Sequence, residues 1–409
     1  MISNDAVVLG LLFLVLYAVL RGAKSSHPFL KKFFLFVPPL LLCYFIPALL
    51  NTSGLVNGEE SKLYFVASRY FLPASLVLLA ISVDLREIIK LGPKALIMFF
   101  TGSIGVVVGG PIALWICSKV APDVITAAGA DNLWRGLSTI AGSWIGGGAN
   151  QAAMKEIFLV PDETFSSMVT VDIVFADAWM AVILLGIGVT AAIDRFNRAD
   201  SSAIESLKKK MEGFQRQEEK NPTSVDYFKL CAVAFGVCGF GHFSADIIAP
   251  FISQHFPGWA KFGLASGFFW LISVSTIVAI LLSFTPLRKI EGIGASKIAN
   301  LFIMILVATI GMHMNVLAIF DNPGLFLIGG IWILVHILLL LIVAKLIRAP
   351  FFYVAVGSQA NIGGAASAPI IASAFHPALA PVGALLAILG YAVGTYLAWV
   401  CALLMKAVV

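Results

Sequence analysis

The sequence predicts an all-α protein that crosses a membrane many times. Of its 409 residues, 60% are hydrophobic and only 12% are charged, whereas soluble domains carry about 25% charged residues. Its mean hydropathy is +0.96. Two glycine-rich, polar interruptions, at 142–151 and 357–367, occur within otherwise apolar stretches. We therefore expect a bundle of about 11–13 spans that contains two broken helices.

The apolar stretches have the length of membrane spans, which need about 20 mainly apolar residues. They lie near 5–20, 33–50, 63–83, 95–120, 136–158, 164–193, 226–254, 262–284, 298–314, 324–346, 350–375 and 379–405. The first has no basic stretch before it and no small-residue cleavage signal after it, so we expect a retained helix.

Basic residues between these stretches indicate the orientation. They are Arg21, Lys24, Lys31, Lys32, Arg86, Lys90, Lys94, Arg288, Lys289, Lys297, Lys345 and Arg348. Loops rich in Lys and Arg are cytoplasmic, and the acidic loop 51–62 is expected outside. This assignment places the amino terminus outside and the carboxyl terminus in the cytoplasm. The net charge of +5 is explained by these loops and implies no nucleic-acid partner.

A polar segment divides the chain into two transmembrane halves, 1–193 and 225–409, each with one crossing helix, near 136–158 and 350–375. In the segment between them, 194–224, apolar residues recur at helical spacing from Ile204 to Phe214, which predicts an amphipathic helix on the membrane surface or against the bundle. A solvated linker and a regulatory element are both compatible with this pattern.

The two halves repeat the same order of features. Pro93 and Pro323 each precede an apolar stretch that is followed by a glycine interruption. Inverted repeats require an odd number of crossings between equivalent segments, yet the third and ninth stretches are six apart. Either a crossing is missed or one stretch is re-entrant. The interruption around Gly239 and Gly241 makes 226–256 the favoured place for either, and a crossing missed earlier in the chain is the alternative.

The two interruptions are the predicted binding site for a solute and an ion. Backbone that leaves the helix inside a bilayer persists only where protein or a watery cavity receives it. The candidate residues are Ser143, Gly146, Gly147, Gly148, Asn150, Gln151, Ser358, Gln359, Asn361, Gly363, Gly364 and Ser367. Their oxygens suit Na⁺, which we place at Asn150, Gln151, Gln359 and Asn361. Close helix packing is the alternative role for small residues among glycines.

Two acidic residues, Asp172 and Asp177, follow the first interruption within an apolar stretch. A carboxylate at membrane depth costs several kcal/mol unless it is paired, hydrated or protonated, so it indicates a functional site. A separation of five residues places the two about 140° apart around a helix, so they do not share a face. One of them is expected to bind or carry a cation, and an interfacial position for Asp172 is the alternative.

Other ionisable residues have structural explanations. His242 and His313 have either a proton-relay or a structural role, while His336, among leucines, is expected to pack against another helix. Lys155 and Glu156 end the first interrupted stretch, as an interfacial salt bridge or a gate.

No enzyme or resident cofactor is predicted. The chain contains no GxxxxGK[ST] or HExxH motif and no paired Cys/His metal spacing. Its five cysteines lie in apolar stretches, where they are expected to pack.

With these features, the chain resembles a bacterial membrane family, domain-of-unknown-function family 819, from end to end. The segments 134–158 and 348–375 are the most diagnostic. More distantly it is similar to the bile-acid/sodium symporters and cation/proton antiporters. That resemblance implies two inverted five-helix repeats, helices that cross at the glycine runs, and a mobile core beside a panel. The bile-acid symporters also carry an acid and a Gln-Asn pair for Na⁺; here Gln359 and Asn361 match the pair, but 349–375 contains no acid.

We therefore expect a secondary transporter of the inner membrane that couples a cation, Na⁺ in preference to H⁺, to the movement of a small organic solute. Monovalent cation/proton exchange is the first alternative, and a non-transporting scaffold or sensor is the second. The expected partners are the bilayer, a solute and, in a homodimer, a second copy of the chain.

Overall fold

The computed structural model describes residues 2–37, 39–58, 60–199, 204, 207, 222–314 and 322–409. Their regular structure is helical, apart from an isolated bridge between Ile2 and Val56. The helices are α1 (Asp5–Ala23), α2 (Pro28–Phe36), α3 (Pro39–Thr52), α4 (Leu63–Ile81), α5 (Leu85–Lys90), α6 (Pro93–Val120), α7 (Pro122–Ala128), α8 (Ala130–Ile157), α9 (Asp162–Ile187), α10 (Thr190–Asn197), α11 (Ser224–His255), α12 (Gly267–Ser283), α13 (Ala295–Gly311), α14 (Leu325–Leu346), α15 (Phe351–Ile362), α16 (Gly364–Phe375) and α17 (Ala380–Lys406). The predicted all-α polytopic class is confirmed.

Ten crossings can be traced through the described residues. Seven helices, namely α1, α4, α6, α9, α11, α14 and α17, are long and apolar enough to cross a membrane. The pair α2 and α3 is bent by 90°, and α12 is bent by 98° from the short 3₁₀ helix that follows it; by length and composition each counts as one further span. The tenth is the apolar helix α13, of 17 residues, which joins the two faces of the bundle.

Both ends of the chain lie on one face, which we call the terminal face. At the start of α1, Asp5 accepts a hydrogen bond from Ser61, just before Tyr64, which contacts Lys155 at the end of α8. At the other end of the chain, the Lys406 ammonium lies 5.1 Å from the Trp134 ring centroid at the start of α8. Both ends of the chain thus lie on the same face of the bundle, whereas the pattern of basic residues predicted opposite sides of the membrane for them.

The opposite face collects the basic loops, and we call it the basic face. Arg288 pairs with Asp84 at 3.0 Å, and Lys94 donates to the Arg348 backbone carbonyl at 3.2 Å. Lys345 donates to the carbonyl of Phe196, near the start of the polar segment 194–224. Hence the loops that the sequence grouped by charge also share one face.

The first predicted crossing helix does not cross. The Trp134 ring near the start of α8 lies 5.1 Å from that of Phe158 just after its end, and the Arg135 guanidinium donates to the Phe158 carbonyl at 3.3 Å. A continuous helix would separate these positions by about 36 Å. At Gly147 the backbone leaves the helical region, with φ 75° and ψ −175°. Therefore α8 is a re-entrant hairpin, with limbs 130–146 and 148–157, that enters from the terminal face.

The second predicted crossing helix, near 350–375, is likewise a hairpin. Helices α15 and α16, of 12 residues each, meet at Gly364, whose φ is +57°. The rings of Phe352 and Phe375, at the outer ends of the two limbs, lie 5.3 Å apart. Each limb is about 18 Å long, so it reaches only part of the way through a hydrocarbon layer of about 30 Å. This hairpin enters from the basic face.

The two hairpins resolve the count of crossings. Of the two alternatives, a missed crossing or a re-entrant stretch, the hairpins correspond to the second. The position that the sequence favoured, 226–256, was wrong, because α11 is one helix from Ser224 to His255. With the first hairpin removed from the count, α4 and α13 run in opposite directions. Each of the next three elements also runs opposite to its counterpart: α6 to α14, the first hairpin to the second, and α9 to α17. A repeat of five helices in each half stays a prediction.

The helices form two groups. The core consists of α6, α9, α14, α17 and the two hairpins, and α17 packs along the first hairpin. The panel consists of α1, α3, α4 and α11 to α13. The predicted amphipathic helix within 194–224 lies outside the described residues, apart from Ile204 and Leu207, and the division into two halves stays a prediction.

Candidate functional site

The tips of the two hairpins meet inside the core. A Cβ atom on Gly364 would lie 3.9 Å from the Gly147 Cα and 3.8 Å from the Tyr391 hydroxyl of α17. That hydroxyl is hydrogen-bonded to the backbone of Ala365. Both tip glycines have a positive φ, a region that side chains disfavour. The two interruptions are more than 200 residues apart in the chain, but their tips are in contact in the structure.

Helix α17 supports both tips through its glycines. A Cβ atom on Gly390 would lie 2.7 Å from the Ile145 carbonyl oxygen of the first hairpin and 3.3 Å from the Ala360 carbonyl oxygen of the second. These distances exclude a side chain. One turn later, a Cβ atom on Gly394 would lie 2.8 Å from the Gly146 Cα. Small residues on α17 therefore allow its backbone to contact both hairpins at once.

Asp172 of α9 holds the two limbs of the first hairpin together. One carboxylate oxygen accepts from the Trp144 indole at 2.7 Å, and the other accepts from the Gln151 amide at 2.8 Å. Ser143 is a third hydrogen-bond partner. Ser143 and Trp144 precede the reversal at Gly147, whereas Gln151 follows it. Asp172 is therefore buried and bridges the two limbs beside the tip.

Asn150 closes the first hairpin onto α17. Its side-chain amide donates to the carbonyl of Gly146 at 3.0 Å and to that of Tyr391 at 3.4 Å. Its oxygen accepts from the Thr395 hydroxyl at 2.8 Å. The side chain is fully buried, so both amide hydrogens and one acceptor position are engaged within the protein.

Asn361 makes the same set of contacts in the second hairpin. It donates at 2.9 Å to the carbonyls of Gly357 and of Phe99 in α6. Its oxygen accepts from the Ser103 hydroxyl at 2.6 Å. In both hairpins the asparagine therefore bonds a carbonyl four residues earlier, a carbonyl of a neighbouring helix, and a hydroxyl one turn further along that helix.

A buried chain of hydrogen bonds anchors the first limb of the second hairpin. The Trp179 indole of α9 donates to the Ser358 hydroxyl oxygen at 2.8 Å. His336 of α14 lies 2.8 Å from the same hydroxyl through Nε2 and 3.0 Å from the Gly102 carbonyl through Nδ1. Because a carbonyl only accepts, Nδ1 carries the proton and Nε2 accepts from Ser358. His336 packs against another helix, as predicted, and also positions this hairpin.

Gln359 and Ser367 bridge the reversal of the second hairpin. The Ser367 hydroxyl donates to the Gln359 amide oxygen at 2.8 Å. The Gln359 amide nitrogen is buried and has no hydrogen-bond partner among the described residues. A buried donor without a partner costs about 1–3 kcal/mol. Between these two residues, a Cβ atom on Gly363 would lie 1.6 Å from the Ser367 hydroxyl oxygen.

The meeting point is accessible on one flank. Ala366, at the start of the return limb α16, is exposed, and Gly147, Gly148 and Gly363 are only partly buried. A Cβ atom on Gly148 would have no atom within 4 Å. The start of the first return limb therefore lies beside open space, where a half-helix presents its positive end.

Asp177 differs from Asp172 in its surroundings. It is partly buried, and no hydrogen bond or ion pair engages it among the described residues. Asp172 contacts the first hairpin and Trp179, seven residues later on the same helix face, contacts the second. Asp177 therefore lies on α9 between these two levels, at the depth of the tips and about 140° around the helix from Asp172.

Several residues of this site escaped the sequence analysis. Trp144, Trp179, Ser103 and Thr395 all bond to predicted residues. The spacing of seven residues between Asp172 and Trp179 is a signal of a shared helix face. Ser103 and Thr395 lie in ordinary apolar spans and carry no such signal. In the described part of the chain, no three His, Cys, Asp or Glu residues are grouped to hold a metal ion.

Comparisons with known proteins agree with this description. The family model described as "Protein of unknown function (DUF819)" matches residues 10–408. The chain is also similar to a protein of Bacillus subtilis (strain 168) named "Uncharacterized membrane protein YjcL". The two are 26% identical over 356 residues, and the alignment covers 85% of each chain.

Proposed function

We propose a function from the site geometry, starting from the premise that this chain belongs to the DUF819 family of proteins of unknown function. The protein is a secondary transporter of the inner membrane. It moves a small organic solute by alternating access, coupled to a cation, with Na⁺ preferred over H⁺. The meeting of two glycine tips inside the core is the observation that supports this proposal most.

The tips supply what a transport site needs at membrane depth. Non-helical backbone is tolerated there only where it is buried in protein or lines a watery cavity. At the tips, Gly147 and Gly364 stand side by side, and Gly148 borders open space. Half-helices that end in mid-membrane offer unpaired N–H and C=O groups to a solute and to ions. A helix bundle that served only as a scaffold has no need of these interruptions.

We assign different roles to the two aspartates. Asp172 keeps the first hairpin in shape, because neutral donors already engage both of its oxygens. Asp177 has no such partners, and a partly buried carboxylate inside a membrane protein favours a cation or a proton beside it. Asp177 therefore carries the coupling cation. The oxygens of Gln359 and of the tip backbones form a second, separate candidate Na⁺ site at the tips in this proposal.

Cation/proton exchange is the second candidate, and Asp177 is again the observation that favours it. An unpartnered carboxylate that alternates between a cation and a proton is sufficient for exchange without a solute. The two candidates differ in one respect: symport needs both a solute and a cation, whereas exchange needs only a cation gradient and a proton gradient.

A ligand screen followed by transport assays tests the proposal. Purified protein is heated with a metabolite library, with and without Na⁺, because a ligand of the folded state raises apparent stability by mass action. The solutes found are then assayed for uptake into proteoliposomes. We expect uptake driven by a Na⁺ gradient and a loss of at least about ten-fold in Asp177→Asn.

Asp123→Asn serves as the control, because Asp123 is exposed in α7, away from the tips. Uptake that is indifferent to Na⁺ and pH gradients would refute coupled transport. Exchange that persists undiminished in Asp177→Asn would refute the antiport alternative.

A further inference from the structure

A buried cluster of charges joins the core to the panel on the terminal face. Lys155 and Glu156, at the end of the first hairpin, are only 5% and 8% exposed. Charged side chains are almost never buried this deeply unless they are paired. The partners of these two residues come from both helix groups.

Glu156 is bound entirely by the panel. One of its carboxylate oxygens pairs with the Arg69 guanidinium at 2.8 Å, and the other accepts from the Tyr64 hydroxyl. Both partners are on α4. Breaking a buried pair on one side leaves an uncompensated charge, which is strongly unfavourable in a dry site. As long as this face stays dry, Glu156 therefore holds the first hairpin against α4.

Lys155 has one partner in each group. Its ammonium pairs with Asp162 of α9 at 2.7 Å, and it donates to the Tyr64 hydroxyl at 2.9 Å. The Lys155–Asp162 pair belongs to the core, and the His313 imidazole, which follows panel helix α13, lies 3.9 Å from the Asp162 carboxylate. A separation of core from panel would thus cost Lys155 a neutral partner but leave its charge paired.

The panel fixes Arg69 from three helices. Arg69 lies in a π-helical turn of α4, Ala67–Phe71, a feature often found at functional sites. Its guanidinium lies 4.7 Å from the Phe268 ring centroid of α12. Its carbonyl is 2.9 Å from Nε2 of His242 in α11. Arg69 is therefore a rigid anchor to which the core attaches.

We propose that Arg69, Tyr64, Lys155 and Glu156 form an ionic latch that closes the terminal face of the transporter. When the latch opens, the Arg69–Glu156 pair and the Tyr64 contacts break, water solvates the two released charges, and the hairpin tips become reachable from that face. This inference rests on the proposed function for its purpose, but the latch itself can be tested without any solute.

A cysteine at the tip reports the opening. Gly148→Cys places a thiol where a Cβ atom meets no other atom within 4 Å. Of the native cysteines, Cys231 is the only one that is not buried, so Cys231→Ser provides a background with little labelling of native thiols. A membrane-impermeant maleimide is added from the terminal face to proteoliposomes of known orientation. The rate of thiol labelling measures how often the latch is open.

We expect Arg69→Gln and Glu156→Gln each to raise the labelling rate about five-fold or more, since each removes the attraction that favours the closed state. The exchange of charges in Arg69→Glu with Glu156→Arg should return the rate to within about two-fold of the parent. Tyr64→Phe removes only the shared hydroxyl. It should raise the labelling rate by a smaller factor, and it is the variant that disturbs folding least.

The matched control is Asp131→Asn. Asp131 pairs with Arg135 at 2.6 Å on the same face, but both residues belong to the first hairpin, so the labelling rate should not change. Unchanged rates in Glu156→Gln and Tyr64→Phe, in protein that elutes as one folded species, would overturn the latch. Labelling needs no solute, so the two proposals are tested separately. Unchanged labelling would refute the latch without affecting the proposal of solute uptake, and absent uptake would not affect the labelling result.

Discussion

At the scale of single residues, the polar side chains of the two interruptions are turned toward the protein. Asn150 and Asn361 each bond two carbonyls and one hydroxyl, and they do so in the same relative positions. A hairpin limb that ends inside a membrane leaves backbone groups without helical partners. Each asparagine satisfies a carbonyl of its own limb and joins that limb to a neighbouring helix.

Replacement of Asn361 should therefore destabilise the fold more than it alters ion affinity. Asn361→Leu removes three buried hydrogen bonds, those to the carbonyls of Phe99 and Gly357 and that from the Ser103 hydroxyl, and each contributes about 0.5–1.5 kcal/mol. A clear fall in the unfolding temperature in detergent, followed by tryptophan fluorescence, is the expected result. Asn4→Ala, which removes only the exposed cap of α1, is the control. An unchanged melt in Asn361→Leu would argue that the side chain is free for a ligand.

The sequence identified which residues matter here but not what they contact. Spacing and polarity selected Asn150, Gln151, Asn361 and Asp172, and all four lie within one turn or so of a tip or bridge it. Their partners Thr395 and Ser103 are 245 and 258 residues away in the chain. Whether a buried amide is saturated depends on such distant donors, and no local pattern contains that information. Ion binding at these residues stays a prediction.

At the scale of elements, the reversal at each tip depends on glycine backbone geometry. Gly147 has φ 75° and ψ −175°, a region that is essentially restricted to glycine. The sequence indicated a break in both stretches but not a reversal. A crossing helix with a kink and two half-length limbs that fold back have the same length and the same apolar composition, so periodicity does not distinguish them.

Gly147→Ala should accordingly destroy the first hairpin. An alanine in this backbone region costs about 1–3 kcal/mol, and the limbs relieve that strain only if they separate and break the Asp172 bridge between Trp144 and Gln151. Gly239→Ala is the matched control, because Gly239 lies in regular helix with no atom near its Cβ position. It should leave the unfolding temperature unchanged or slightly raised. Equal melting of the two variants would mean that the reversal does not need glycine.

At the scale of the whole molecule, the hairpins change the number of crossings and hence the direction of the helices between them. The sequence grouped the basic loops correctly, and the structure places them on one face. Counting both hairpins as spans makes twelve segments, whereas counting them as re-entrant leaves ten crossings. Each hairpin removes one crossing, so the inferred direction of every helix between them reverses. That error came from treating apolar length as evidence of a full crossing.

Both termini should consequently lie outside the cytoplasm, on the side opposite the basic loops. Basic loops are retained in the cytoplasm, and ten crossings return the chain to the side from which it started. A phosphatase fused after Val409 should be active. A green fluorescent protein fused at the same position should not fluoresce. The same two reporters inserted within 200–220 should behave in the opposite way, because that segment follows α10 on the basic face. Opposite reporter signals at the amino and carboxyl termini would require an odd number of crossings, and one of the two hairpins would then have to be a true span.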